Sequence, residues 1–445
     1  AKEHDFEAKT DTVGNVVIKA PATSGHENAA PVVVQAHMDM VCEKNNDVEF
    51  DFMKDPIELE IKGDWLHAKG TTLGSDNGVG LAAGMALAVD DSVVHGPLEI
   101  LVTVDEETGL TGAAELDGSL LEGKTLLNLD TEEIGALYIG CAGGGDSNLS
   151  LPMKTTAVPA TAAAFHIKAS GLKGGHSGMD IVLQRGNAIK ALARMLWKAG
   201  RDHKLNLVRF DGGGVHNAIP REAVADVVVE AAAMDAVAGI INAEADAIRA
   251  ELGDVDPGLK VEIRPMEDTL AHMLDDETTA GALGMILAIP HGVDAMSNDV
   301  PGLVETSNNL ASVWTKDGKV IVGTSSRSSI GSALQDMRDR IRAVGELAGA
   351  TVEENNAYPG WKPDMDSRVL AVARKVWKDL HGEDPEVKAV HAGLECGIIG
   401  EKCPGMDMVS MGPTIEAPHS PDERINIPSV ETFWTYLKAV MKELA

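Results

Sequence analysis

Short apolar runs alternate with helical patterns through the first third of the chain. Residues 32–36, 98–104 and 125–129 are apolar stretches of strand length, each bounded by polar or glycine-rich segments, and they read as buried strands. Residues 78–88 are small and apolar and follow a glycine turn, which predicts a helix. Around residues 150–160 the texture changes: Pro152, Pro159 and a patch of Thr and Ala mark a crossover. Beyond it, residues 164–170 alternate as a strand, 187–198 carry helical periodicity, 223–230 are β-rich and 231–252 form an alanine-rich helix. Residues 314–320 predict a hairpin turning at Asp317-Gly318, and 332–347 are again helical. From Gly360 the first texture returns, with an amphipathic stretch at 367–380, a strand at 406–411 and a closing helix at 430–444. The expected fold is α/β, a mixed-sheet domain built from residues 1–155 and 356–445, with a smaller α+β domain, 156–355, inserted into it.

Composition narrows the picture without deciding it. A chain of 445 residues with 44% apolar content is a soluble-type sequence large enough for two cores. No run approaches the roughly 18 apolar residues that a membrane span needs. The formal charge of −31 argues against nucleic acid or an anionic membrane as partner; it serves solubility, with salt adaptation as a second reading. Cys42, Cys141, Cys396 and Cys403 show no CxxC pairing, which predicts reduced thiols and a cytoplasmic location. The charged opening, Ala1 to Glu7, does not resemble a signal peptide. It lacks Met and reads as the middle of a helix, so residues upstream of it are expected.

The chemistry lies where strands end or glycine turns begin. His37-Met38-Asp39 closes the first strand; side chains two apart share a face, so one can ligate an ion while the other contacts the imidazole. Asp76 sits between Gly74 and Gly78-Val79-Gly80, glycines that permit a tight turn and a close-packed helix start; it reads either as a helix cap or as a bridging carboxylate. Glu106 and Glu107 end the 98–104 strand. Two adjacent carboxylates repel unless a cation is near, and the pair suggests one metal ligand and one free base, with the order left open. Asp130 ends the third strand, and His419 lies in a Pro-flanked loop of the returning segment. Each motif alone has an ordinary structural explanation. Together they supply two imidazoles and at least three carboxylates, enough for two divalent ions. No G-x-S-x-G elbow, P-loop lysine motif or H-E-x-x-H helix competes with them. The runs Gly143–Gly145 and Gly212–Gly214 read as turns or close-packing points.

The set, with Gly70-Thr71-Thr72-Leu73-Gly74-Ser75-Asp76-Asn77-Gly78, Gly171-Leu172-Lys173-Gly174-Gly175-His176-Ser177-Gly178, Asn217-Ala218-Ile219-Pro220-Arg221-Glu222, Ala357-Tyr358-Pro359-Gly360-Trp361 and His391-Ala392-Gly393-Leu394-Glu395-Cys396-Gly397, resembles the aminoacyl-histidine dipeptidase branch of the M20 metallopeptidases along the whole chain. The resemblance implies a zinc-peptidase catalytic domain with two Zn2+ per subunit, Co2+ or Mn2+ being possible substitutes. His37 and Asp130 would complete one zinc, Glu107 and His419 the other, with Asp76 bridging. Asp39 would orient His37, and Glu106 would be the general base. The inserted domain would act as lid and dimerisation domain of a homodimer, its His176 stabilising the oxyanion across the dimer interface. Asn217, Arg327 and the Gly393 backbone would hold the substrate's terminal carboxylate. The implied activity is cleavage of dipeptides, preferentially Xaa-His, by metal-activated water. Another M20 activity, deacylation of amino acids or carboxypeptidase action, would use the same metal site; a catalytically silent metal-binding protein would need a lost ligand or base, and none is lost. The family also carries about two helices ahead of the point where this chain opens, and Ala1 would lie within the second.

Overall fold

Two compact units make up the chain: residues 1–141, 361–390 and 394–445 form one, and residues 142–360 with 391–393 form the other. The structure, a computed structural model, describes residues 1–266 and 270–445.

The first unit is built on a mixed sheet. Among the described residues its strands run in the order Glu7–Thr10, Val16–Ala20, Leu98–Thr103, Val32–His37, Thr125–Asn128, Asp407–Ser410, Ala136–Cys141 and Glu386–Val390. The middle four are mutually parallel. All six residues of Val32–His37 and of Leu98–Thr103 are buried, as expected of parallel strands covered on both faces. The helix Ser75–Val89 packs closely because Gly84 presents no side chain; a Cβ there would stand 3.3 Å from Ile100 and 3.5 Å from Val34. The helices Arg368–His381 and Ile427–Leu444 meet through Trp377 and Tyr436, whose rings cross edge to face at 5.1 Å. Parallel alignment brings the carboxyl ends of the central strands to one edge of the sheet, where open α/β folds place their ligands. A smaller antiparallel sheet of the same unit runs in the order Ile415–Glu416, Arg424–Asn426, Trp65–Ala68 and Leu59–Lys62. Its own apolar cluster of Ala68, Leu73, Ile415 and Ile425 fastens the His419 segment to the loop that carries Asp76.

The second unit is an antiparallel sheet covered by helices. Its order is Lys260–Pro265, Ala162–Ser170, Ala223–Glu230, Leu205–Gly213, Val304–Lys316, Lys319–Ser328, Gly143–Pro152 and Thr351–Tyr358, with Gly292–Met296 on Val304–Lys316. Phe165, Leu192, Phe210, Val227, Ile241 and Ile286 are among its core residues. Asp317 and Gly318 both take positive φ, 54° and 71°, the geometry of the hairpin turn that an Asp-Gly pair favours.

Two expectations need adjustment. The first boundary falls at 141/142 rather than 155/156, because Gly143–Pro152 is paired on one side with Lys319–Ser328 and on the other with Thr351–Tyr358. The opening residues do not continue a helix. Lys2–His4 make a single 3₁₀ turn that Asp5 ends in a left-handed conformation, φ 54°, and the strand Glu7–Thr10 follows. Among the described residues, no helix is long and apolar enough to cross a membrane.

Candidate metal centre

Side chains from five separate stretches of the first unit converge beyond the strand ends. His37, 1% exposed, closes its strand with Nε2 at 3.2 Å from Asp76 Oδ1 and 3.2 Å from Asp130 Oδ1. His419 Nε2 stands 3.2 Å from Asp76 Oδ2 and 3.0 Å from Glu107 Oε2. Asp76 is therefore divided, one carboxylate oxygen toward each set. One ligand-type atom from each of His37, Asp76 and Glu107 lies within 4.8 Å of the others, so the two sets adjoin.

Local structure explains how each group arrives. Gly74 adopts φ 72° and starts the helix Ser75–Val89, whose second and third residues leave helical geometry. A Cβ on Gly80 would stand 2.7 Å from the Leu129 carbonyl, so glycine lets this helix close against the Leu129-Asp130 segment. Asn77 then donates through Nδ2 to the Leu129 carbonyl at 3.0 Å and to Asp130 Oδ1. Asp105 and Leu110, with φ 54° and 57°, bracket the short helix Glu106–Gly109. Left-handed backbone at non-glycine residues persists where surrounding contacts impose it. Here the Asp39 carboxylate accepts from the backbone N–H of Glu106 and of Glu107, each at 3.1 Å.

That arrangement alters the expected role of Asp39. The His37 Nδ1–H donates to the Asp39 backbone carbonyl at 3.0 Å, while the carboxylate oxygen is 3.6 Å away. That bond turns Nε2 toward the ligand set through main chain, while the Asp39 carboxylate is occupied by the Glu106 and Glu107 amides.

The electrostatics are those of a cluster with too much negative charge. Burial, and then Asp130, push the Glu106 carboxyl up to about 9. Burial also lifts Asp130 to about 6 and, with Asp76 and Asp130, Glu132 to about 8. Burial works against charge on His37, yet hydrogen bonds to Asp130 and Asp76 raise it to about 12. Hydrogen bonds to Asp76 and Glu107 raise His419 to about 10. Asp76 is buried too, but the two imidazoles hold it well below the usual carboxylate range. Without other cations the cluster balances itself with protons. Glu107 Oε1 is buried and makes no hydrogen bond among the described residues, a costly state for a carboxylate oxygen. Oxygen and imidazole donors in two adjoining sets, one buried oxygen among them orphaned, fit a pair of divalent cations.

The remaining expected site residues belong to the second unit. His176 sits in the two-residue strand Gly175–His176, paired with Ala218–Ile219. Its Nδ1 accepts from the backbone N–H of Gly178 at 3.2 Å and Met179 at 3.1 Å, so the neutral ring carries its proton on Nε2 and can donate from there. Burial and then Arg327 lower its pKa, which favours that neutral form. Asn217 is exposed, next to the strand Ala218–Ile219, and its carbonyl accepts from Ser177 N at 2.8 Å. Arg327 donates through Nη1 to Tyr358 Oη at 3.3 Å, and its buried Nε is unpartnered. A Cβ on Gly393 would stand 3.0 Å from the Tyr358 ring.

Other participants escaped the sequence reading. Asn77 steadies Asp130. Glu395, fully buried, accepts from Gln35 Nε2 at 2.6 Å and Thr103 Oγ1 at 2.7 Å, and Gln35 Oε1 accepts from Asn128 at 2.5 Å. This polar layer underlies the strand ends. Glu423 gathers the backbone of the Asp76 loop. Its position four residues beyond His419 in the sequence was the one available signal.

A family model described as peptidase family M20/M25/M40 matches residues 33–443. The chain is 43% identical over 444 residues to the cytosol non-specific dipeptidase of Escherichia coli (strain K12), covering 100% of this chain and 91% of that protein. Its structure matches the crystal structure of aminoacylhistidine dipeptidase from Vibrio alginolyticus with a TM-score of 0.95 and 42% identity, over 100% of this chain and 90% of that one. Aminopeptidase PepT from Bacillus cereus ATCC 10987 shares the fold at 18% identity, with a TM-score of 0.54 over 100% of this chain and 90% of that one.

Proposed function

The chain belongs to the M20 peptidase family, hydrolases of peptide bonds, and on that premise we propose that it is a zinc-dependent dipeptidase, preferring Xaa-His substrates, that works in the cytoplasm as a homodimer. The observation that carries the reading is the divided Asp76 carboxylate, with His37 at one oxygen and His419 at the other, and with Asp130 and Glu107 against those two imidazoles in turn. In this reading those five residues hold two divalent ions, which supply Lewis-acid polarisation of the scissile carbonyl and ready ionisation of water.

The chain's own residues do the rest. Glu106 is held beside the ligand set but is not counted among its donors; it takes the proton of the attacking water and returns it to the leaving amine. Asp39 keeps Glu106 in register through its bonds to the 106 and 107 amides. The Nε2–H of His176 donates to the oxyanion that develops on the substrate; in the homodimer each subunit would lend this ring to the other's centre. Asn217, Arg327 and the Gly393 backbone take the substrate's terminal carboxylate. Arg327 suits this because a guanidinium pairs with carboxylate in a bidentate manner and its Nε is buried without a partner.

A metal count on the purified protein, followed by a dipeptide panel, tests the proposal. Two ions per chain and faster turnover of Xaa-His than of other dipeptides are expected. The name of the 43% identical relative, a non-specific dipeptidase, favours a second reading in which the panel is hydrolysed broadly. Faster cleavage of N-acyl amino acids than of any dipeptide would reject both. Sedimentation at micromolar concentration tests the dimer, and a monomer there would remove the shared role of His176.

A further inference from the structure

We propose that Glu423 is a positioning residue that shapes the metal centre by binding the backbone of the Asp76 loop to the segment bearing His419; the inference rests on the metal-centre reading above. Glu423 is 2% exposed, and among the described residues no lysine or arginine pairs with it. Its charge is met by main chain. Oε2 accepts from the N–H of Leu73 at 2.7 Å and of Gly74 at 2.9 Å. Oε1 accepts from Ser75 N at 2.8 Å, Ser75 Oγ at 2.6 Å and Asp76 N at 3.3 Å.

Five donors converge on one carboxylate at the start of a long helix, an arrangement that favours an anion. Both oxygens are consumed, so Glu423 is not itself a ligand. An amide would fit poorly, since its NH2 would face N–H groups. The bonds run to every residue from Leu73 to Asp76, the stretch that determines where the Asp76 carboxylate points. On the other side, Glu423 N donates to Ser420 O at 3.0 Å, one residue from His419. His419 is half exposed and left-handed, φ 60°, so its placement depends on how its short loop is tied down. One buried acid thus sets the distance between the shared carboxylate and the second imidazole.

Zn2+ titration of the metal-stripped full-length protein, in competition with a chelator, tests this. Glu423→Gln is expected to weaken Zn2+ binding by about 10–100-fold, as is typical when a partner behind the ligands is lost, with KM for a dipeptide unchanged at saturating Zn2+. Ser75→Ala, which removes one of the five donors, should shift affinity the same way by up to about tenfold, and it decides the matter if Glu423→Gln does not fold. Asn426→Ala removes the cap of the helix Ile427–Leu444, where Asn426 accepts from Ser429 N at 3.0 Å; it should lower the unfolding temperature and leave Zn2+ affinity within about twofold. Wild-type affinity in Glu423→Gln, or in Ser75→Ala if that variant alone folds, overturns the assignment, as does equal weakening in Asn426→Ala. A wild-type protein that binds no Zn2+ overturns the metal-centre reading and this one together.

Discussion

At the residue scale, geometry separates the two neighbouring glutamates to which the proposal gives different jobs. Glu107 Oε2 is in contact with His419, whereas Glu106 is the carboxyl whose pKa burial and then Asp130 push up to about 9. Glu106→Gln should therefore lower kcat by on the order of 10²–10⁴ while the purified protein retains its metal. Near wild-type turnover with full metal content would sink the assignment. His176→Ala should lower kcat by about 10²–10³, the usual cost of one oxyanion donor, with Zn2+ affinity unmoved; a variant that lost metal would place the ring elsewhere. The five candidate ligands were legible in the sequence because acids and histidines recur at strand ends. The part played by Asp39 was not. Residues two apart suggest a side-chain contact, but the chain leaves the strand after His37, so main chain meets the imidazole and the carboxylate turns toward residues 106 and 107. Glu395 lies in a quoted stretch but its role was not legible either, because its partners Gln35 and Thr103 are hundreds of residues away in sequence.

Elements were legible where burial is apolar and obscure where it is polar. Apolar period identified the strands at 32–36 and 98–104 and the helices at 187–198 and 367–380. The long strand Val304–Lys316 was seen only at its hairpin end. Its buried side chains include Thr306, Ser307, Asn308 and Asn309, which look like loop residues. They are buried because each finds a polar partner: Thr306 bonds Ser328 at 2.9 Å and Ser326 donates to Asn308 at 2.9 Å on the neighbouring strand, Ser307 bonds His391 at 2.7 Å, and Asn309 donates to the His216 and Ala218 carbonyls at 3.0 and 2.8 Å. Buried polar atoms are tolerated when paired, and hydropathy does not register pairing. Close packing gives a prediction at this scale. Gly80→Val would force the helix Ser75–Val89 away from the Leu129 carbonyl, at a cost of about 1–3 kcal/mol typical of overpacking. The urea midpoint should fall and Zn2+ binding should weaken with it; an unchanged midpoint would mean that the helix has slack there.

Charge is the property of the whole molecule that fold and site do not explain. At −31 the compact state repels itself, and salt screens that repulsion over a shorter distance as it rises, to about 3 Å at 1 M. The thermal midpoint of metal-free protein should climb between 0.05 and 1 M KCl; a flat or falling profile would assign the acids to hydration alone. Adding Zn2+ at low salt should raise the same midpoint further, because an ion that binds only the folded chain stabilises it by mass action. One feature of the first sheet also bears on how such a chain is made. The strand Asp407–Ser410 lies between Thr125–Asn128 and Ala136–Cys141, and His419 and Glu423 follow it. A chain emerging from the ribosome has both flanking strands, Thr125–Asn128 and Ala136–Cys141, long before it has this one. Since nascent domains fold as their parts appear, the first unit stays open in mid-sheet until Asp407–Ser410 arrives. The stretch from Asp407 onward therefore closes the sheet and brings His419 to the candidate ligand set together, so on the proposed reading a nascent chain has no working centre before that stretch is made.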